Sequence, residues 1–206
     1  MKITWYGHAC FAAENNGKTV IFDPYAPGSV PGVEMPAGLE ADLVLCSHGH
    51  SDHNYAQGVA VKKDAAEIGL TRFACWHDDV QGAKRGNNLI SVADMDGVRV
   101  AHFGDLGHDL SDEDLAALGR IDILLIPVGG FFTINALTAQ RLAERIGAKL
   151  TIPMHYRGEG FGYDVIDTVD AFVALNRRVE YADTNEIDFD SLDRAQTVIL
   201  RCPAEI

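Results

Sequence analysis

Paired cysteines, a basic surface and long apolar runs are all missing from this 206-residue sequence. The four cysteines, Cys10, Cys46, Cys75 and Cys202, are scattered and form no CxxC pair. Cys46 and Cys202 lie in apolar runs, where cysteine behaves as a small buried hydrophobe. A disulfide framework is therefore not expected, and a reducing cytoplasm fits this cysteine usage. Lys and Arg number 17 against 30 Asp and Glu, a formal net charge of -13. Binding nucleic acid along its length requires cations that displace counterions from phosphates, so this balance excludes a broad nucleic-acid footprint. It leaves room for one local basic pocket, and it keeps a soluble protein dispersed. The amino terminus, MKITWYGHACF, has one lysine and no long apolar core before the polar stretch Glu14–Lys18. Neither a signal peptide nor a membrane span is expected.

What the sequence does contain suits a globular core. Its hydrophobic fraction is 47%, and a chain of this length buries enough apolar surface to need no covalent staples. One domain over residues 1–206 is the economical reading. Short runs rich in β-branched residues read as strands: Ile3–Tyr6, Thr19–Phe22, Leu43–Cys46, Val98–Phe103, Ile121–Val128, Leu150–Met154 and Thr197–Cys202. Three segments read as helices. Ser111–Gly119 opens with serine and has Asp114 three residues on, close to a capping box. Asn135–Ile146 carries Leu142, Ala143 and Ile146 on one stripe and ends at Gly147. Thr168–Asn176 places Val169, Phe172 and Val173 on one face. The class is α/β or α+β with covered sheets. Pro24–Pro36, with four prolines, and the glycine-rich Gly158–Gly162 read as loops.

The eight histidines are not scattered evenly. His8, His48 and His155 follow expected strands, His102 lies late in one, and none falls in an expected helix. Side chains at several strand ends converge on one rim of a sheet, where open α/β folds place their sites. The densest stretch is His48-Gly49-His50-Ser51-Asp52-His53. In extended chain, residues two apart point to the same side, so His48 and His50 can chelate one ion while Asp52 and His53 turn toward another. Imidazole and carboxylate together suit zinc, manganese or iron. Three histidines and an aspartate within six residues are costly to bury unless something occupies them.

On these residues the sequence resembles the metallo-β-lactamase superfamily, in which HxHxDH follows one strand, Gly-Asp a later one and a last histidine another. Here these are His48–His53, Gly104-Asp105 and His155. The segments Thr4–Ala9, Asp23-Pro24, His77 with Arg85–Asn88, His102–His108 and Ile152–Tyr156 resemble the branch of L-ascorbate-6-phosphate lactonase and N-acyl phosphatidylethanolamine phospholipase D. The resemblance spans Ile3 to about Tyr156. It implies an αββα four-layer sandwich of two mixed sheets covered by helices. It also implies two divalent ions, zinc or manganese with iron as a further option. One would be held by His48, His50 and His77, the other by Asp52, His53 and His155, with Asp105 bridging.

The activity so implied is hydrolysis of an ester-type bond (lactone, carboxylic ester or phosphodiester) by a metal-bridging hydroxide, in a small anionic metabolite. A β-lactam is not expected. Asp52 is the candidate for orienting the nucleophile; His8 and His108, each beside a glycine turn, are the other catalytic candidates. His102 divides between a supporting role and a satisfied core histidine. Arg85, Phe131, Phe132, Thr133, Tyr156 and Arg157 are candidate pocket residues, and the two loops are candidate covers. Two other classes are weighed, a di-iron oxidoreductase and a metal-binding protein without catalysis. The first lacks a flavin partner domain here, and the full ligand set counts against the second. The expected partner is a small-molecule substrate, with homo-oligomerisation left open.

Overall fold

The computed structural model describes residues 1–205. The first part of the chain is β1 (Lys2–Gly7), β2 (Cys10–Asn15), β3 (Lys18–Phe22), β4 (Glu40–Ala41), β5 (Leu43–Leu45) and β6 (Ala60–Val61). Then follow β7 (Gly69–Trp76), β8 (Asn87–Met95), β9 (Val98–His102), α1 (Asp112–Leu118), β10 (Ile123–Pro127), α2 (Ala136–Ile146) and β11 (Leu150–Met154). The last elements are α3 (Asp170–Leu175), β12 (Val179–Tyr181), β13 (Glu186–Asp188) and β14 (Gln196–Ile199).

Two mixed sheets dominate. One has the order β13-β1-β2-β3-β5, the other β12-β14-β11-β10-β9-β8-β7, and β4 and β6 form a small separate pair. Local chemistry closes the antiparallel turns. Asn16-Gly17 and Asp96-Gly97 join β2 to β3 and β8 to β9 with positive φ at both residues, as tight two-residue hairpins demand. The parallel strands β10 and β11 are buried at every residue, which is why they read as continuous apolar runs without alternation. Trp5, Phe11 and Phe22 of the first sheet and Ile123, Leu125 and Ile152 of the second belong to one core cluster. Each such burial stabilises by about 1.5–3 kcal/mol. The fold is thus the α/β sandwich expected from the sequence.

The helices form where their ends are satisfied. Ser111 accepts from the Asp114 N–H while Asp114 reaches back to the Ser111 N–H, a complete capping box. Asn135 caps α2, and Gly147 ends it in the left-handed conformation at φ 64°. Helix α2 lies against α3 and β10. The third helix is shorter than the expected Thr168–Asn176, with no side-chain cap at its start. Strands β2, β4, β6, β7, β8, β12 and β13 are absent from the sequence-based expectation. In β7 nearly every residue is exposed or half-buried, so the apolar spacing that marks a strand is missing, and pairing with β8 alone defines it.

The arrangement sets the site. Five strands, β1, β5, β7, β9 and β11, each deliver a histidine or aspartate just beyond their last residue: His8, His48, His77, Asp105 and His155. Among the described residues, no helix is long and apolar enough to cross a membrane.

Candidate metal centre

The cluster is built on strained loop ends. His8, Asp23 and His155 hold φ of 53°, 44° and 53°, values that cost a non-glycine residue energy and persist only where the surroundings enforce them. For Asp105 the strain is transferred to the preceding glycine. Gly104 has φ 52°, and a Cβ there would meet Asn88 Oδ1 and Ser47 Cβ at 2.4 Å. Asn88, fully buried, then fixes the loop: its Nδ2 donates to the Phe103 carbonyl at 2.8 Å and its Oδ1 accepts from the Asp105 N–H at 2.9 Å.

Around Asp105 the donor atoms converge. Its Oδ1 lies 3.3 Å from His53 Nε2, and its Oδ2 lies 3.3 Å from His77 Nε2 and 3.2 Å from His155 Nε2. Asp52 Oδ2 lies 3.6 Å from His53 Nε2, and His48 Nε2 is 2.9 Å from His50 Nδ1. Two atoms bound 2.0–2.1 Å from one tetrahedral ion stand roughly 3.3 Å apart, so these separations fit ligands sharing cations. Three overlapping donor groups occur: His48, His50 and His77; His48, His53 and Asp105; and His8, Asp52, His53 and His155. Six buried side-chain atoms among the described residues have no hydrogen-bond partner, and all belong here: both ring nitrogens of His8, His53 Nε2, His77 Nδ1, Asp105 Oδ1 and His155 Nδ1. Buried polar atoms are almost always paired, and two of these orphans, His53 Nε2 and Asp105 Oδ1, approach to 3.3 Å, a pair that a cation would satisfy.

Electrostatics agree with a cation site. Burial lowers the His48 and His8 pKa values to about 3 and about 4, keeping both rings neutral and able to donate a lone pair. Burial alone would raise the Asp105 pKa, but His155 and His53 hold it well below the usual range. His53 is opposed in the same way: burial lowers it, and Asp105 and Asp23 outweigh that and raise it. Asp23 accepts from His53 Nδ1 at 2.8 Å and from the Ser47 hydroxyl and N–H at 2.6 Å. With Nδ1 held by Asp23, Nε2 is the ring nitrogen turned toward Asp105, where a cation would take the place of its proton, the arrangement that sets a ligand's tautomer and basicity. Ser47 Oγ also meets His48 Nδ1 at 2.9 Å.

Residues 2–155 match the family model described as the beta-lactamase superfamily domain. The chain belongs to that superfamily. Its curated relatives include UPF0173 metal-dependent hydrolases from Archaeoglobus fulgidus, 30% identical with 76% of this chain and 83% of that one covered, and from Methanoregula boonei, 34% identical with 76% and 82% covered. A Thermotoga maritima crystal structure, assigned to the Zn-dependent hydrolases of the metallo-β-lactamase superfamily, superposes with a TM-score of 0.77, 31% identity and 97% of each chain covered. Human tRNase Z, short form, at 11% identity with 77% of this chain and 93% of that one covered and a TM-score of 0.55, shares the fold alone.

Within this superfamily member, the seven residues singled out from the sequence, His48, His50, Asp52, His53, His77, Asp105 and His155, all fall in the overlapping groups. His8 joins them. His108 does not: its Nε2 accepts from the Trp76 N–H at 3.2 Å and its Nδ1 donates to the Asp109 carbonyl at 2.7 Å. His102 is satisfied as well, donating to the Ala9 carbonyl at 2.8 Å, accepting from the Gly104 N–H at 3.1 Å and stacking on Phe22.

A cavity of about 310 Å³ opens onto the cluster, walled on its far side by Arg85, Phe132 and Tyr163. A second, of about 520 Å³, adjoins it through Arg85 and Phe132. The Arg85 guanidinium lies 5.4 Å from the Phe132 ring and 5.9 Å from the Phe131 ring. Its neighbour Lys84 pairs with Asp79 at 3.2 Å, whereas Arg85 has no salt-bridging carboxylate among the described residues. Tyr156 and Arg157 line a different cavity, away from the cluster. Sequence reasoning did not single out Tyr163, whose hydroxyl lies 3.2 Å from Asp52 Oδ2 and donates to the Ser29 carbonyl. Its only signal was its place after the glycine-rich loop. Asp23 stood out merely as part of an Asp-Pro pair.

Proposed function

We propose that the chain is a metal-dependent hydrolase, working as one domain, that holds two divalent ions and cleaves an ester-type bond in a small anionic molecule. The observation that carries this reading is the cluster itself: the donor atoms of its groups lie within 4.8 Å of one another, and six buried atoms of its residues have no hydrogen-bond partner. The metal-dependent hydrolases among its relatives, and the segments that resemble the lactonase and phospholipase branch, support it.

His48, His50 and His77 would hold one ion, Asp52, His53 and His155 the other, with Asp105 between them. Two such cations supply Lewis acidity and lower the pKa of bound water toward roughly 7. Asp52 is held below the usual carboxylate range: burial works against this, but His8 and His53 beside it prevail. It is therefore an ionised acceptor that orients the attacking water by hydrogen bonding, being too weak a base to store its proton near neutrality. Burial raises the Tyr163 pKa, so its hydroxyl stays protonated, its one proton going either to the Ser29 carbonyl or to Asp52. Arg85, unpaired and beside Phe132, binds the anionic part of the substrate while the apolar walls exclude water.

The test is metal content and turnover on one sample. The expected result is two zinc or manganese ions per chain without visible absorption, and hydrolysis of a member of a panel of bis-p-nitrophenyl phosphate and lactones, lost in His50→Ala. Nitrocefin should survive. Iron with visible bands and no hydrolysis across the panel would overturn the reading.

A further inference from the structure

We propose that Tyr163 is a positioning residue for Asp52: through its hydroxyl, the Pro24–Pro36 and Gly158–Gly162 loops hold that carboxylate in place. This deepens the reading above and rests on it, since Asp52 is there both a ligand and the group that orients the attacking water.

Asp52 gets no support from its own segment. Asp42 and Asp78 accept backbone N–H groups from the chain around them, and Asp23 accepts from the Ser47 N–H. Among the described residues no backbone N–H reaches the Asp52 carboxylate, and the Tyr163 hydroxyl, 3.2 Å from Oδ2, is its one hydrogen-bond partner. His8 Nε2 and His53 Nε2 lie 3.3 and 3.6 Å from the same oxygen, but both are among the unpartnered atoms. The Asp52 side chain is 17% exposed, against 3% for Asp105. Burial and backbone contacts therefore do not select its rotamer, and a ligand holds its geometry only when a neighbour locks it.

Tyr163, by contrast, is fixed from several sides. Its ring stands edge-on to His8 and to Phe132, with centroids 5.6 and 5.9 Å away. Its hydroxyl meets the Ser29 carbonyl, and the adjacent Gly162 N–H donates to the Pro31 carbonyl at 2.9 Å. The two loops touch backbone to backbone. A Cβ on Gly32 would stand 1.8 Å from the Gly160 carbonyl oxygen, and Gly32 has φ 75°, so glycine is required there. The first loop is also tied to the residue before Asp52: the Ala26 N–H donates to the Ser51 carbonyl at 2.8 Å, and the Ser29 hydroxyl reaches the same oxygen at 3.2 Å.

The phenol carries one proton for two acceptors. Donated to Asp52, it makes a charge-assisted bond, the stronger kind. Donated to Ser29, it leaves oxygen facing oxygen, which pushes the carboxylate away. In both cases the place of Asp52 depends on where the loops hold the phenol. Tyr163 also lines the cavity, so the rival role is direct contact with substrate. Such contact would show in KM, whereas a seat for Asp52 shows in kcat and in metal affinity.

The test measures zinc affinity by chelator competition, and kinetics on the ester that wild type hydrolyses, for Tyr163→Phe, Gly32→Ala and the two together. Phenylalanine keeps the ring and removes only the hydroxyl; alanine at position 32 keeps the hydroxyl and forces the loops apart. Tyr163→Phe should weaken one of the two zinc sites and lower kcat, each by about 10–100-fold, with KM unchanged. Gly32→Ala should weaken the same site, and the double variant should bind zinc no worse than Tyr163→Phe, because both changes remove one contact. Unchanged zinc affinity and kcat in Tyr163→Phe, or a rise in KM alone, would overturn the proposal, as would losses of affinity that add in the double variant. If wild type itself bound fewer than two zinc ions or hydrolysed nothing on the panel, the dinuclear reading would fail first and take this one with it.

Discussion

Asp78 and Asp105 are both buried aspartates near the same histidine, yet they do opposite things. Asp78 directly follows His77 and accepts four backbone N–H groups, from Val80, Gly82, Lys84 and Arg85, at 2.8–2.9 Å. Burial opposes its charge, but those donors bring its pKa down to about 2. Asp105 has imidazoles around it where Asp78 has amides, and one of its oxygens has no hydrogen-bond partner at all. A carboxylate saturated by its own loop maintains a shape. One left unsaturated among lone pairs is set up for a ligand that folding does not supply.

The sharpest way to break this contrast is to exchange the losses. Asp105→Ala should remove both ions and with them several kcal/mol of charge stabilisation, so turnover falls by about 10³-fold; metal analysis and kinetics on one sample check it. Retention of both ions would erase the distinction from Asp78. Next in size is Asp23→Asn, which leaves every ligand in place but loosens the tautomer of His53. Metal affinity should fall about 10–100-fold, measured by competition with a chelator, with little change in melting temperature.

On the other side of the comparison the effects concern stability. Asp42 accepts from the Thr19 and Ala66 N–H groups and from Lys62 Nζ at 2.7–2.9 Å, and these contacts, Lys62 first, lower its pKa to about 2. Asp42→Ala should cost about 1–3 kcal/mol by orphaning those donors, read from denaturant midpoints, with metal affinity unchanged. Because the folded pKa values of Asp42 and Asp78 are depressed from 3.8, the stability they contribute is complete above about pH 4. It is lost as pH falls from about 4 to about 2. Urea midpoints taken in that window with a chelator present should show this slope, flattened in Asp42→Asn with Asp78→Asn. The smallest effect expected is that of Arg85→Ala, about a tenfold rise in KM for an anionic ester with kcat unchanged; an equal rise for a neutral ester would remove Arg85 from substrate recognition.

How much of this was written in the chain varies element by element. Strands β10 and β11 were legible because parallel strands buried on both faces are apolar throughout. Helices α1 and α2 were legible because Ser111, Asp114, Asn135 and Gly147 act locally. Strands β7 and β13 were not, since pairing with β8 and β1 in the folded chain defines them. The candidate ligands in His48–His53 announced themselves by spacing. Asp23 and Tyr163 did not, because neither has a distinguishing neighbour in sequence: one meets His53 across 30 residues and the other meets Asp52 across 111.

The chain alone determined which residue types could bind a cation and that they would stand at strand ends, because side-chain chemistry and short-range periodicity are local properties. Tertiary structure decided which histidines became part of the cluster. His8 and His108 each adjoin a glycine turn, but only folding brings His8 to within 3.3 Å of Asp52 while the Trp76 and Asp109 backbone engages His108. The physical reason is that an orphaned donor is defined by what surrounds it, and nothing in a sequence lists a residue's surroundings.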